Sequence, residues 1–324
     1  MRLSILFFLL LVCLDNGYSQ YAPRDNWQGS TAIPKDSQIF VNWAKGAQVS
    51  RGHQDIRQPG LGFTEAGTNE FCLSYPDGQS VSLGDGGSVI LQFDAPIVNG
   101  PGFDFAIFEN GFHIRSNSDS DFLELAFVEV SSDGQTWVRF PSISENDTLV
   151  QLGTYDGSKA SKVHNLAGKY VANFGTPFDL EELKDSAGLD VMNIRYIKII
   201  DVVGCLDSAY ATRDSRGVKI NDPYPTPFIQ GGFDLDAVGI IHNQDAPNGM
   251  LVPNVFLPYP NPSSQGRGIV LSEDTELDYS VYSLEGKQIE KGHAQIAGIE
   301  LERGIYIIYY TSNNQTKRLK WVVQ

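Results

Sequence analysis

The sequence predicts an all-β protein, and three observations carry that expectation. Short segments rich in Val, Ile, Phe and Tyr recur between Gly, Pro, Asn and Asp punctuation; an Asp-Gly pair sits between two of them; and only one short stretch has helical character. In chain order, strands are expected over 88–93, 103–108, 123–130, 136–140, 194–202 and 233–241. The turn Ser131-Ser132-Asp133-Gly134 joins the third segment to the fourth, because Asp and Gly both tolerate the positive φ of a tight hairpin. The helical stretch, 180–184, opens on Asp179 as an N-cap and is expected to be short and peripheral.

The first residues read as a leader. Arg2 precedes an apolar run over 3–14, the length of a signal-peptide core and short of the roughly 20 residues a spanning helix needs. Gly17 and Ser19 are small residues where a signal peptidase reads, so 1–19 should be removed and Gln20 should begin the mature chain. A lipidated Cys13 is the rival reading, but Val12 before it is bulkier than such a site accepts. No later stretch is long and apolar enough to span a bilayer as a helix.

The 324 residues suit two domains, and an apolar share of 41% is enough for ordinary cores. Against 24 basic residues stand 39 acidic ones, and a net charge of -15 repels phosphate backbones, which excludes sequence-independent nucleic-acid binding and favours cations. Removing the leader leaves Cys72 and Cys205, an even pair in a compartment where disulfides persist. A bridge between them would contribute about 5 kcal/mol on a chain-entropy account; the alternative is two buried thiols. After the last strand the polar, turn-forming stretch 242–249 breaks the texture, which places a first domain at 20–243, a linker at 244–254 and a second domain at 255–324.

The second domain carries four landmarks in order. They are Tyr259-Pro260-Asn261-Pro262, the Gly286-Lys287 turn, Gly304-Ile305-Tyr306, and Lys317-Arg318-Leu319-Lys320-Trp321-Val322-Val323. This closely resembles the type A C-terminal sorting domain of the type IX secretion system. The resemblance implies a small immunoglobulin-like β-sandwich, recognition by the type IX machinery after passage through the periplasm, and attachment to the outer cell surface of a Gram-negative bacterium through lipopolysaccharide.

In the first domain, Asp104-Phe105-Ala106-Ile107-Phe108-Glu109-Asn110, the segment 124–134 and Gly231-Gly232-Phe233-Asp234-Leu235-Asp236-Ala237-Val238-Gly239 resemble a family of secreted bacterial cell-surface proteins. The hairpin ending in Trp137 and the later Arg195-Tyr196-Ile197-Lys198-Ile199 are similar to strands of discoidin-like, galactose-binding-like jelly rolls. That implies a jelly-roll-like β-sandwich suited to ligand binding and names no ligand.

Carboxylates hold the most chemistry. On a strand, Asp234 and Asp236 would share a face, and a structural calcium ion accepts six to eight hard oxygen ligands of this kind. Asp222 and Asp201 are the expected further ligands, with Asp104, Glu109, Asn110, Asp207 and Asp214 beside them; alternatively these residues anchor loop amides. Aromatic residues suggest a ligand surface at Tyr210, Tyr224 and Phe228, near a proline-rich segment, unless Tyr224 and Phe228 plug the sandwich end. Phe112 is a further candidate.

Catalytic signals are weak. There is no Gly-x-Ser-x-Gly elbow, the five histidines show no ligand spacing, and Glu124 and Glu129 fall on opposite faces of their strand. The expectation is a non-catalytic surface protein with no catalytic residues, binding a glycan or other extracellular ligand. Its rivals are an exported polysaccharide hydrolase or lyase, and a structural or adhesion component.

Overall fold

The structure is a computed structural model that describes residues 21–115, 118–244, 266, 268–271, 276–283, 287–298, 300–312 and 315–323. The leader expected at 1–19, nearly all of the 244–254 linker and the 259–262 opening of the tail lie outside the described residues. The chain forms two units, 1–243 and 244–324.

In chain order the strands of the first unit are β1 (Ile33–Pro34), β2 (Asn42–Trp43), β3 (Gly46–Ser50), β4 (Val81–Ser82), β5 (Ser88–Ile97), β6 (Phe105–Glu109), β7 (Ala126–Ser131), β8 (Val138–Arg139), β9 (Ile143–Ser144), β10 (Val163–His164), β11 (Phe174–Phe178), β12 (Ile194–Asp201) and β13 (Asp234–Ile240). They make two antiparallel sheets, ordered β1-β11-β6-β13-β2 with β4 also on β13, and β3-β5-β12-β7-β8; β9 and β10 pair separately. The all-β expectation holds.

Period-two alternation explains the packing. From β6, Phe105 and Ile107 enter the main core with Val89, Leu91, Val128, Val130, Ile197 and Ile199 of the opposite sheet, while Ala106 and Phe108 face a second cluster with Ile33, Ala237 and Ile241. Both faces of β6 and β13 are therefore covered, and every residue of these two strands is buried. β11 was not expected, since Gly175, Thr176 and Pro177 read as punctuation. Pro177 pairs with Ala106 on one side, and β1 reaches only Phe174 and Gly175 on the other, so its missing N–H faces no strand there.

Local chemistry agrees with the sequence at the hairpin and the helical turn. Gly134 has φ of 75°, and Asp133 accepts from the amides of Gln135 and Thr136 at 2.8 and 2.7 Å. The helical stretch is one 3-10 turn, Leu180–Leu183, with the Asp179 carboxylate accepting from Glu181 N.

The second unit has its own core. β15 (Leu277–Ser283), β16 (Gln288–Ala294), β18 (Gly304–Ser312) and β19 (Gln315–Val323) form a sheet ordered β16-β15-β18-β19, and β14 (Ile269–Val270) pairs with β17 (Ile296–Ala297). Fully buried Trp321 packs with Val281, Ile308, Ile269 and Ala297 from both sheets.

The cysteine pair is corrected. Cys72 and Cys205 are free and buried: Cys72 belongs to the main core and donates to Asn69 O at 3.1 Å, while Cys205 packs with Val203 and Tyr224 in a separate cluster. Burial pushes the Cys72 thiol up to about 12, so it resists becoming the reactive thiolate. The native protein without its leader should therefore resist alkylation at Cys72, and after unfolding without reductant both cysteines should label; mass mapping that found them linked would contradict this.

Candidate functional site

A row of four aromatic rings walls a cleft of about 330 Å³ at one end of the first unit. Phe112 and Phe122 stack at 4.8 Å, Phe122 lies 6.5 Å from Tyr155, and Tyr155 lies 6.4 Å from Phe228 with the planes 23° apart. Phe122 is buried, whereas Phe112, Tyr155 and Phe228 are 50, 69 and 37% exposed.

Each ring is fixed by backbone pairing. Phe112 and Phe122 exchange amide hydrogen bonds at 3.1 and 3.0 Å, Asp121 and Ser158 do the same at 2.9 Å, and Thr154 Oγ1 donates to Pro225 O at 2.8 Å. Phe228 is held by Gly231 N donating to its carbonyl and by the amides of Glu65 and Ala66 on Ile229 O. Beneath the Phe112–Phe122 loop, buried Arg24 pairs with Asp121 at 3.2 Å, and His113 contacts Asp25 at 3.2 Å and Asp121 at 2.9 Å. Asp25, His113 and Asp121 are the group that gathers three ligand atoms within 4.8 Å among the described residues, but Arg24 already supplies the positive charge there, and the cluster reads as a clamp.

The floor is acidic. Glu124 and Asp234 both line the cleft, and Asn110 Nδ2 donates to Asp234 Oδ2 at 2.7 Å. Burial, then the charges of Asp234, Glu109 and Asp222, hold the Glu124 carboxyl well above the usual carboxylate range. Burial likewise pushes Asp234 up to about 6 against the pull of Ser82, Asn110 and Arg51. Behind them Glu109 accepts from Gly111 N at 2.8 Å, and burial raises it too. Gly168, at φ 77°, backs Glu124: a Cβ there would stand 1.8 Å from Glu124 O.

The expected calcium set does not converge. Asp201 accepts from Gly86 N and Phe233 N at 2.9 and 2.7 Å, Asp222 from Leu125 N at 3.0 Å, and Asp236 from Asp77 N and Gly78 N at 3.2 Å. Asp236 is the extra residue of a bulge between Leu235 and Ala237, which interrupts the alternation that would align it with Asp234. These are loop anchors. Asp104 does the same for Gly100 N and Leu180 N, both at 2.7 Å.

The expected ligand residues separate as well. Phe228 lines the cleft. Tyr224 is buried, donates its hydroxyl to Asp55, and borders a different cavity of about 520 Å³ lined by two acids, Asp207 and an Asp55 already bonded to Arg57 N and Gln58. Tyr210 is 37% exposed and lines neither cavity. The sequence alone does not reveal Tyr155, Phe122 or the pairing of Glu124 with Asp234, because 73 residues separate Tyr155 from Phe228, 106 separate Phe122 from Phe228 and 110 separate Glu124 from Asp234. Glu129 stands apart from the floor, ion-paired to Arg139 at 2.7 Å and Lys198 at 3.4 Å.

A raised folded-state carboxyl destabilises increasingly as pH climbs above its ordinary value near 4.3, because the unfolded chain releases the proton first. Glu124→Gln keeps the shape and removes that proton, so it should raise the melting temperature at pH 8 by about 3 °C or more, with the gain closing toward pH 4.5. A difference that did not grow with pH between 5 and 8 would contradict the raised Glu124.

Residues 258–324 match the family described as a secretion system C-terminal sorting domain. No curated protein matches the chain. Among solved structures, a Faecalibacterium prausnitzii β-glucuronidase is similar at 11% identity and a TM-score of 0.30, over 90% of this chain and 47% of that one, so this chain spans about half its length. Residues 258–324 are thus a type IX secretion C-terminal sorting domain, and the chain is an exported protein of the cell surface or the medium.

Proposed function

We propose that the first unit is a non-catalytic binding module displayed outside the cell, and that it takes a saccharide in the cleft between Phe112, Tyr155 and Phe228. The ring wall above the acid floor carries this reading. Flat apolar faces stack on the C–H faces of a sugar, while Glu124, Asn110, Thr154 and Gln230 offer polar groups to its hydroxyls. The tail adds the type IX machinery as a partner. Final retention through lipopolysaccharide, with removal of the tail, belongs to the same proposal.

An array of neutral, anionic and amino glycans should retain the protein on at least one saccharide. Tyr155→Ala and Phe228→Ala should each weaken that binding by about 2- to 12-fold, the range of one aromatic contact, with little change in melting temperature for the exposed Tyr155. Reducing ends should not be released from the bound glycan; release would favour the hydrolase instead. An array with no signal would end the saccharide reading.

Deleting 255–324 should leave the first unit folded and trap it in the periplasm, since its core shares no residue with that of the tail. Cell fractionation reads the outcome, and normal surface delivery of the truncated protein would refute it.

A further inference from the structure

We propose that the saccharide taken by this cleft carries a free, positively charged amine, whose ammonium rests against Glu124 and Asp234 and faces the rings of Tyr155 and Phe228. The inference deepens the saccharide reading and rests on it. Its ground is a deficit of positive charge at the floor. Glu124, only 5% exposed, lines the cleft and makes no hydrogen bond among the described residues. Behind it, Glu109 Oε1 and Asp222 Oδ1 are buried without a partner among those residues. Removing such oxygens from water is unfavourable unless a donor or a counter-charge meets them.

The other charged groups that face this floor do not supply one. Asp201 is an acid, with both oxygens occupied by the amides of Gly86 and Phe233. Arg51 acts on Asp234, yet its guanidinium donates to the carbonyls of Ala66 and Gly67 at 2.7 and 2.6 Å and to that of Ser82. With no counter-charge present, burial favours the protonated forms of Glu124 and Asp234. An ammonium supplies both what the carboxylates lack, a positive charge and a set of donors, whereas a neutral hydroxyl supplies only the donor.

The wall fits the same guest. Aromatic faces attract cations through the ring quadrupole, and the exposed rings of Tyr155 and Phe228 line the same cleft as Glu124 and Asp234. Binding must expel protons from the floor, so affinity rises as the floor acids ionise and falls again once the amine loses its own proton.

Three probes with one backbone test this: β-1,4-linked hexamers of glucosamine, N-acetylglucosamine and glucose, titrated calorimetrically against the protein. Glucosamine should bind at least tenfold more tightly than the other two at pH 7, more weakly at pH 5, and with measurable proton release when buffers of different ionisation enthalpy are compared. Glu124→Gln should reduce the preference to about threefold or less while any binding of the glucose hexamer survives, and Tyr155→Ala should weaken all three. Equal or tighter binding of the acetylated or glucose hexamer, on a protein that the glycan array shows to bind saccharide, overturns the amine and leaves the saccharide reading intact. Loss of glucosamine binding in 10 mM calcium chloride, together with a calcium-dependent rise in melting temperature of the ligand-free protein, would make the floor an inorganic cation site and also overturn it.

Discussion

Strand β13 lies buried along its whole length, yet two of its first three residues, Asp234 and Asp236, are aspartates. Much of the first unit is organised around that conflict. A carboxylate removed from water needs amide donors, a counter-ion or a proton, and the structure uses the first and third side by side. Asp201 and Asp236 are met by backbone amides and so tie distant turns to the central strands. Glu124, Glu109 and Asp234 are met incompletely: burial raises all three, and the charges of neighbouring acids add to the rise of Glu124 and Glu109. The first group builds the sandwich end; the second gives that end a chemical character.

The aromatic wall depends on the anchors in turn. Its rings come from segments that have no strand of their own to stiffen them, and short backbone bridges to Ser158, Pro225 and Ile229 hold them instead. Exposed rings normally cost a protein solubility, which is tolerable here because the surface carries a large net negative charge.

The strands were legible because alternation and turn chemistry are local: Asp133-Gly134 and the Asp179 cap are both found where the sequence puts them. The sorting tail was legible because its landmarks form an ordered string. The cleft was not. Phe228 and Phe112 were visible singly, but their assembly with Tyr155 depends on loop contacts across long sequence separations, and the bulge at Asp236 broke the period that had grouped it with Asp234 in a metal shell. The same limit applies to Cys72 and Cys205, whose even number says nothing about which packed cluster receives each.

Arg24 and Asp25 stand near the start of the described chain, and their partners Asp121 and His113 lie about ninety residues further on. Closing so long a loop costs conformational entropy, and the sheets offset that cost by bringing its ends together. The wall of the cleft is accordingly latched by a short N-terminal strap. Proteolytic removal of residues 21–25 would spare every strand of the sandwich and still unfasten the Phe112–Phe122 loop, so that the sheets would stay folded while the wall of the cleft came loose.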